Sequence, residues 1–384
     1  MTDRMNARMT YQPLGVIMLA AGGTGGHVFP AQALAAELDR RGQVVDIVTD
    51  RRGDDYADRF PGQTIHRIHA ATPSGRGLAG KIVAAVRIVQ GTIQAHRLIR
   101  RIEPAAVVGF GGYPALPTML AAIASSVPRM VHEQNAILGR VNRMVSSQVD
   151  AITTSFPVTK EMPQNDKLPK LVTGNPVRDE IQALAAAPYV APQPGARFQL
   201  LVFGGSQGSG SFSQVIPQAL LALPEHQRNC LRVAQQCRAE DLDAVRETYA
   251  QAGIKAQTAT FFDDMPARLK AAHLVIARSG AGTVSELAVV GRPSILVPYP
   301  HATDDHQTCN AEVLSSVGGA WVLPEAEMTV EILTEHLGKL MADPALLEDA
   351  AQAAHGRGQP NAAQLLADVV EALAANELVG GTAS

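Results

Sequence analysis

The sequence predicts an α/β protein of two Rossmann-like domains, each a doubly wound parallel sheet, facing one another across a cleft. Three observations carry this reading. Apolar runs of strand length alternate with stretches of helical period. A unit of apolar strand, glycine loop and helix occurs near residue 22 and restarts near residue 204. A seam rich in proline and alanine, "AAAPYVAPQPGAR" over 185–197, lies between the two occurrences. Such alternation forces right-handed crossovers and a sheet covered on both faces. At 384 residues the chain is too long for one ordinary core and suits two domains.

In the first half, "GVIMLAA" reads as a buried strand, followed by a glycine loop, a helix to about Arg41 and a second strand, "VVDIVTD". Gly42 ends the helix as a left-handed cap would. The apolar "LGVIMLAA" after Arg4 and Arg8 superficially resembles a signal peptide. It leads straight into the glycine loop where a cleavage site would be needed, so it is read as the first strand. "AAVVGF" and "PRMVHEQN" are further strand-to-loop passages, with "TMLAAIAS" the helix between them. The long uncharged segment from Pro104 to Pro128 is not read as a membrane span, because its glycines, Pro114 and Pro117 should break it into strand, loop and helix.

The second half opens on "FQLLVFGGSQGSGSFSQVIPQAL", again strand, glycine loop and helix. Further on, a strand ends at Ala277, and Thr283 with Glu286 should begin a helix. Those two residues fit a capping box worth about 1 kcal/mol. Taken alone, the pattern favours that cap; the sharper alternative has Glu286 accept hydrogen bonds from vicinal hydroxyls of a ribose. "AAQLLADVVEALAANEL" reads as a final helix.

Composition narrows the class. With 46% hydrophobic and 18% charged residues the chain looks like a globular enzyme. A formal net charge of -3 gives no global electrostatic case for nucleic acid. Cys230, Cys237 and Cys309 form neither a disulfide framework nor a C-x-x-C metal site, which fits a reducing cytoplasm.

A helix N-terminus offers unpaired amides and a partial positive charge, and glycines let an anion approach them. Phosphate is the natural guest. The loop Gly22 to His27 lacks the third glycine of G-x-G-x-x-G, and no P-loop is present, so a dinucleotide enzyme is weakened, although Asp50 could still meet a ribose. "GFGGYP", Gly109 to Pro114, is a third glycine loop, and three together favour a ligand set with several phosphates.

"GGTGGHVFP", "GFGGYP", "HEQN", "GNPVR", "GGSQGS", "FFDDM", "RSGAGTVSE" and "DDHQTCNA" occur in this order over nearly the whole chain. The ordered set resembles the bacterial family of N-acetylglucosaminyltransferases that convert lipid I into lipid II. The resemblance implies a GT-B fold, UDP-N-acetylglucosamine (UDP-GlcNAc) as donor and undecaprenyl-pyrophosphoryl-N-acetylmuramyl-pentapeptide as acceptor, with a β-1,4 linkage formed by inversion. It implies an N-terminal acceptor and membrane domain over 1–178, a donor domain over 179–355 and a terminal helix over 356–384 that crosses back to the first domain.

Carried over by motif, Thr24, Gly25, Gly26, Asn135 and Arg178 would lie near the donor, and Ser206 would contact its diphosphate. Phe262 would face the uracil through its backbone. Ala281, Gly282, Thr283, Val284, Ser285 and Glu286 would wrap uracil, ribose and phosphate, with Glu286 on the ribose hydroxyls and Gln307 on those of the sugar. Two departures stand out: Gly282 replaces a larger apolar residue of some relatives, and "PHATDDHQ" is one residue longer than in others, which bears on the choice between His306 and Gln307. Gly109, Gly111, Gly112 and Tyr113 are assigned to the acceptor side. His27 is the leading candidate for general base, or else a ligand of the acceptor diphosphate, and Glu133 is an alternative carboxylate base.

No cofactor or metal is expected. The D-x-D at Asp241 and Asp243 sits in "RAEDLDAVRETYAQAG", which reads as an amphipathic surface helix with both carboxylates solvated, and Asp263-Asp264 and Asp304-Asp305 read as helix starts. The leaving diphosphate would then be stabilised by loop amides, a helix N-terminus and Arg178.

The segment Pro73 to Ile102 carries Arg76, Lys81, Arg87, Arg97, Arg100 and Arg101, with Leu78, Ile82, Val86, Val89 and Ile93 at helical spacing. It is either a packed helix with a solvated basic side or a basic amphipathic helix lying on an anionic leaflet. The resemblance favours peripheral attachment at the cytoplasmic face of the inner membrane, near other cell-wall synthesis proteins, in a role tied to cell shape and division. A UDP-sugar epimerase, a dinucleotide oxidoreductase and a non-catalytic nucleotide-sugar binder are the competing classes.

Overall fold

The computed structural model describes residues 14–23, 25–50, 60–72, 77–205 and 209–378. The first half forms a seven-stranded sheet of β1 (Val16–Ala20), β2 (Val44–Thr49), β3 (Thr64–Arg67), β4 (Ala106–Gly109), β5 (Arg129–Glu133), β6 (Ala151–Thr154) and β7 (Lys170–Val172). Its strand order is β3-β2-β1-β4-β5-β6-β7. The helices α1 (Gly25–Arg40), α2 (Leu78–Ile102), α3 (Gly112–Ala124) and α4 (Arg140–Val145) connect these strands, and α5 (Asp179–Gln182) leads out of the half.

The second half has six strands: β8 (Phe198–Phe203), β9 (Leu231–Gln236), β10 (Lys255–Ala259), β11 (Leu274–Ala277), β12 (Ser294–Leu296) and β13 (Ala320–Val322), in the order β10-β9-β8-β11-β12-β13. Its helices are α6 (Gly210–Ala222), α7 (Glu225–Cys230), α8 (Leu242–Gln251), α9 (Met265–Ala271), α10 (Ala281–Val290), α11 (His306–Ser315), α12 (Val330–Ala342), α13 (Pro344–His355) and α14 (Ala362–Ala374). Every strand pairing in both sheets is parallel. The predicted pair of doubly wound sheets is what the chain forms.

Alternation within strands explains why the apolar runs are continuous. Ile17 and Leu19 point into one cluster with α1 and α14, while Met18 between them points into the cluster with α2 and α3. Both faces of β1 are buried, so no polar residue interrupts it. The second sheet repeats this: Leu200 and Val202 face one cluster, Leu201 and Phe203 the other.

Strand order reverses between β1 and β4, and again between β8 and β11. These are the switch points at which doubly wound sheets bind ligands, outside the carboxyl ends of the strands. The loops that leave these four strand ends are the glycine loops after Ala21, Gly109 and Phe203 and the loop that starts at Arg278.

α14 packs on the first half, not the second. Leu366, Ala367, Val370 and Leu373 share a core with Val28, Leu34 and Leu38 of α1. Arg41 fastens the contact, donating to Asp368 and Glu371 at 2.7 Å each and to the Gln364 carbonyl at 3.0 Å. Gly42, with φ of 79°, ends α1 in the left-handed conformation expected of it.

Two local expectations are corrected. Pro114 and Pro117 do not break the segment ahead of a later helix: α3 begins at Gly112 and runs through both. Pro114 stands in the first turn, where its missing N–H costs no intrahelical bond. The capping box does not form either: α10 starts earlier, with Gly280 as N-cap and no side-chain cap bond, so Thr283 already lies inside the helix.

Candidate active site

At the first switch point, β1 delivers its chain into the amino end of α1, whose first residues are Gly25, Gly26 and His27. Thr24 lies outside the described residues. The β4 end delivers Gly111 and Gly112 at φ of 81° and 70° into the start of α3, followed by half-buried Tyr113. The two helix starts meet at His27. A Cβ on Gly112 would stand 3.4 Å from Cε1 of the imidazole, and one on Gly111 3.5 Å from Cδ2. Any side chain there would be strained by the positive φ, and its Cβ would lie in van der Waals contact with the ring. Gly109, the last residue of β4, abuts the Met119 thioether and is enclosed.

Burial, reinforced by the charge of His306 on α11, pulls the His27 pKa from 6.5 down to about 4. The imidazole is therefore neutral at neutral pH. Its coupling to His306 brings the first residues of α1 and α11, one from each half, to the same cleft.

The "HEQN" loop lies beside this point. His132 is fully buried, its Nδ1 3.1 Å from Thr153 Oγ1 and its ring edge-on to Phe110, and burial takes its pKa to about 3. Glu133 is corrected as a candidate base. Its Oε1 accepts from the Asn135 amide at 3.0 Å and from Asn135 Nδ2 at 3.1 Å. Its Oε2 accepts from the Gly139 amide and from Asn142 Nδ2, both at 2.8 Å. Burial raises its pKa against those bonds. The carboxylate is enclosed and its acceptor sites are taken, so it holds the loop in shape.

Asn135 Oδ1 accepts from Asn310 Nδ2 at 3.1 Å. Asn310, wholly buried on α11, also donates to the Ser279 carbonyl at 3.0 Å and accepts from the Ala136 amide at 2.8 Å. One side chain thus joins the "HEQN" loop of the first half to the "RSGAG" loop of the second. Arg178 pairs with Glu286 of α10, Nη2 to Oε1 at 3.0 Å, where α5 packs on α10. Burial raises the Glu286 pKa and Arg178 opposes the rise. Arg140 donates to Asp304 at 2.6 Å and Arg143 binds the same carboxylate.

Ala281 to Glu286 form the opening turns of α10, so the unpaired amides at that helix start face the same cleft. Nothing lies within 4 Å of a Cβ on Gly282, so the larger residue of some relatives would fit. Gln307 Oε1 accepts from the Tyr299 amide at 2.9 Å, and its carbonyl accepts from Ser279 Oγ at 2.8 Å. Phe262 is buried, with the Arg268 guanidinium 3.9 Å above its ring. Ser206 lies outside the described residues. Nearby, Ser209 accepts from Arg278 Nη2 at 2.8 Å, and Arg278 also binds Glu325 and the carbonyls of Val297 and Pro298.

One carboxylate of each acidic pair is engaged by arginine. Asp264 accepts from Arg268 at 2.6 Å and stands at the N-cap of α9 without a side-chain cap bond. Asp304 is the cross-cleft acceptor, and Asp305 is the N-cap of α11. Both have φ near 50°, a conformation that costs about 1–2 kcal/mol per non-glycine residue. Asp243 is exposed beside Arg246, but Asp241 Oδ2 is buried without a partner, so the expectation of two solvated carboxylates holds only for Asp243.

The basic helix is decided in one respect. Ile82, Val83, Val86, Val89 and Ile93 of α2 are 57, 50, 50, 58 and 48% exposed, while Ala84, Ala95, Leu98 and Ile99 are buried. The first set is therefore not a core face. Lys81 and Arg87 are exposed beside it; Arg76 and the Leu78 side chain lie outside the described residues. No helix among the described residues is long and apolar enough to cross a membrane.

Residues 17–154 match the glycosyltransferase family 28 N-terminal domain, and residues 199–366 match the family 28 C-terminal domain. The chain belongs to glycosyltransferase family 28. It is a glycosyltransferase, and the cleft between its two sheets is where that chemistry is housed. A relative from Rhodospirillum centenum, named UDP-N-acetylglucosamine--N-acetylmuramyl-(pentapeptide) pyrophosphoryl-undecaprenol N-acetylglucosamine transferase, is 52% identical over 92% of this chain and 93% of its own. The crystal structure of Acinetobacter baumannii MurG is 32% identical, covers 93% of this chain and 99% of its own, and superposes with a TM-score of 0.77. A UDP-GlcNAc 2-epimerase from Neisseria meningitidis, bound to UDP-GlcNAc, is 14% identical over 93% of this chain and 99% of its own, at a TM-score of 0.61. That last likeness is one of fold alone.

Within this family 28 glycosyltransferase, sequence reasoning named His27, Asn135, Arg178, Glu286 and Gln307 and passed over Asn310, Asn142, Arg278 and His132. All but Asn142 sit inside the quoted motifs, so the motif was seen and the side chain within it was not. Asn142, on α4, carries no signal of its own in the sequence.

Proposed function

We infer that this glycosyltransferase transfers N-acetylglucosamine from UDP-GlcNAc to the C4 hydroxyl of N-acetylmuramic acid in undecaprenyl-pyrophosphoryl-MurNAc-pentapeptide, with inversion and without a metal. The observation that carries the reading is the 52% identity, over 92% of the chain, to an enzyme whose printed name states that transfer. The cleft geometry supports it.

In the reaction, the C4 oxygen forms a bond to the anomeric carbon while the bond from that carbon to the β-phosphate oxygen breaks. The electron pair leaves with UDP. His27 takes the C4 proton, being neutral and placed where the starts of α1 and α3 converge. A base with a pKa near 4 is weak, and an acceptor diphosphate bound against the amides of Gly25, Gly26 and Gly112 would raise it. On the donor side the amino end of α10 faces the nucleotide diphosphate, Arg178 adds a positive charge, and Glu286 accepts from the ribose hydroxyls.

α2 supplies the contact with a lipid-borne acceptor. Its exposed apolar stripe, flanked by Lys81 and Arg87, lies peripherally on an anionic leaflet at the cytoplasmic face of the inner membrane. Lipid II made there would feed peptidoglycan assembly, and through it cell shape and division.

The test uses purified protein, radiolabelled UDP-GlcNAc and a short-chain lipid I analogue, with excess chelator present and a His27→Ala variant alongside. Acceptor-dependent transfer that survives the chelator is the expected result. Donor binding without transfer would indicate an epimerase or a binding module, and no donor binding would overturn the reading.

A further inference from the structure

The donor domain has a second concave surface, at the edge of its sheet opposite the cleft. In a parallel sheet all strands start on one edge, and here β8, β9 and β10 start with Arg197 just ahead of β8, Arg232 as the second residue of β9 and Lys255 as the first of β10. Register places Gln199, Arg232 and Lys255 side by side. Two residues on from each, Leu201, Ala234 and Gln257 continue the same sheet face as a mostly apolar floor. The short α9 forms one wall and leaves a cavity of about 450 Å³. A neighbouring cavity of about 370 Å³ shares Arg197 and Gln199 and adds Lys270 and Arg292.

The charges here are unbalanced. Arg232 and Lys255 are directly opposed like charges on adjacent strands, a pairing that destabilises a sheet. Arg292 is 1% exposed and is held by the carbonyls of Leu269, Lys270 and Gly291. Arg232 is likewise fixed by a carbonyl, that of Leu231 at 2.6 Å. Among the described residues, no carboxylate pairs with Arg197, Arg232, Lys255, Lys270 or Arg292. The nearby acid, Asp264, is taken by Arg268. His273 beside them accepts from the Gln199 amide and is depressed in pKa by burial and by Arg292, so it stays neutral and balances none of this charge.

We propose that this groove binds a small phosphorylated polyanion, at a site separate from the donor cleft. Arg232, held by the Leu231 carbonyl, stands with Arg197, Lys255 and Lys270 where an anion can reach them, and buried Arg292 adds positive charge behind them; guanidinium groups suit phosphate oxygens. The apolar floor accepts the body of the ligand. The volumes are those of small-molecule sites, whereas a stable protein partner would need about 800 Å² of surface on each side.

Isothermal titration of the full chain with pyrophosphate, at constant ionic strength and with saturating UDP in the cleft, tests the site. Wild type is expected to bind one pyrophosphate and to gain thermal stability with it. An Arg232→Gln/Lys255→Gln variant, which relieves the like-charge pair and should fold at least as well, is expected to bind at least about tenfold more weakly while keeping UDP affinity. Equal binding by variant and wild type, or none by wild type, overturns the proposal, and citrate binding as tightly as pyrophosphate overturns the phosphate assignment. If UDP itself failed to bind, the donor reading would fall, and the comparison of variant with wild type would still decide the groove.

Discussion

Arg178, at the start of α5, and Glu286 of α10 pair at 3.0 Å where α5 packs on α10. The carboxylate assigned to the donor ribose is therefore already neutralised by the arginine assigned to the diphosphate. A donor entering between them would exchange this contact for two, hydroxyls on Glu286 and phosphate on Arg178. The pair is also partly exposed, so on its own it adds little stability.

Glu286→Gln should accordingly weaken donor binding more than it slows turnover. Hydrogen bonds to a charged group are worth about 1.5–3 kcal/mol, so KM for UDP-GlcNAc should rise about 10- to 100-fold with a smaller change in kcat. Steady-state kinetics at saturating acceptor check this. A loss confined to kcat would remove Glu286 from the ribose.

For His27 the expectation lies in the pH profile. The free-enzyme pKa is drawn down to about 4, so the imidazole is in its basic form at every pH well above that. The profile of kcat/KM, which reports free-enzyme groups, should therefore show an acid limb near pH 4 where an ordinary histidine would place one near 6.5. His27→Ala should lower turnover about 100-fold or more with UDP-GlcNAc affinity retained. An acid limb near 6.5 in wild type would show that the His27 pKa is not drawn down in the free enzyme, and turnover retained in His27→Ala would remove His27 from the proton transfer.

Fold stability carries a related signature. His27 and His132 have folded-state pKa values of about 4 and about 3, below their unfolded value of 6.5. Above 6.5 both states are unprotonated there and these groups contribute no pH dependence. As pH falls below 6.5, the unfolded chain takes up protons that the folded chain refuses, so stability drops until the folded pKa values are reached. Urea midpoints should fall between pH 6.5 and pH 4, and His132→Phe, at a site lined by Phe110, should flatten part of that slope. A slope unchanged in the variant would show that His132 is charged or exposed in the folded chain.

The legibility of this protein from sequence followed the range of the interactions. β1, β2 and the helix of Gly25 to Arg40 were readable because periodicity and glycine are local signals. Thr283 and Glu286 were open to a capping box because the spacing is local too, and the structure sets that aside because α10 already starts after Gly280, which leaves Glu286 to Arg178, 108 positions earlier in the chain. Glu133 looked like a base because nothing in "HEQN" reveals that Asn142 and Gly139 will close over it. Arg232 and Lys255 raised no flag, since only strand register puts them side by side.

The exposed stripe on α2 leads to a prediction that separates membrane docking from chemistry. Ile82, Val86 and Val89 are at least half exposed, so changing them removes little packing within the fold. Lys81→Gln/Arg87→Gln removes two charges worth about 1 kcal/mol each near an anionic leaflet. Binding to vesicles rich in anionic lipid should fall about 30-fold, and Ile82→Gln/Val86→Gln/Val89→Gln should weaken it further by removing apolar burial. Both variants should melt at the wild-type temperature. Both should also turn over a water-soluble, short-chain acceptor at the wild-type rate, because α2 contributes no residue to the cleft described above. Loss of transfer on the vesicle-borne acceptor alone would place α2 at the membrane, whereas equal vesicle binding by variants and wild type would assign the stripe to another contact.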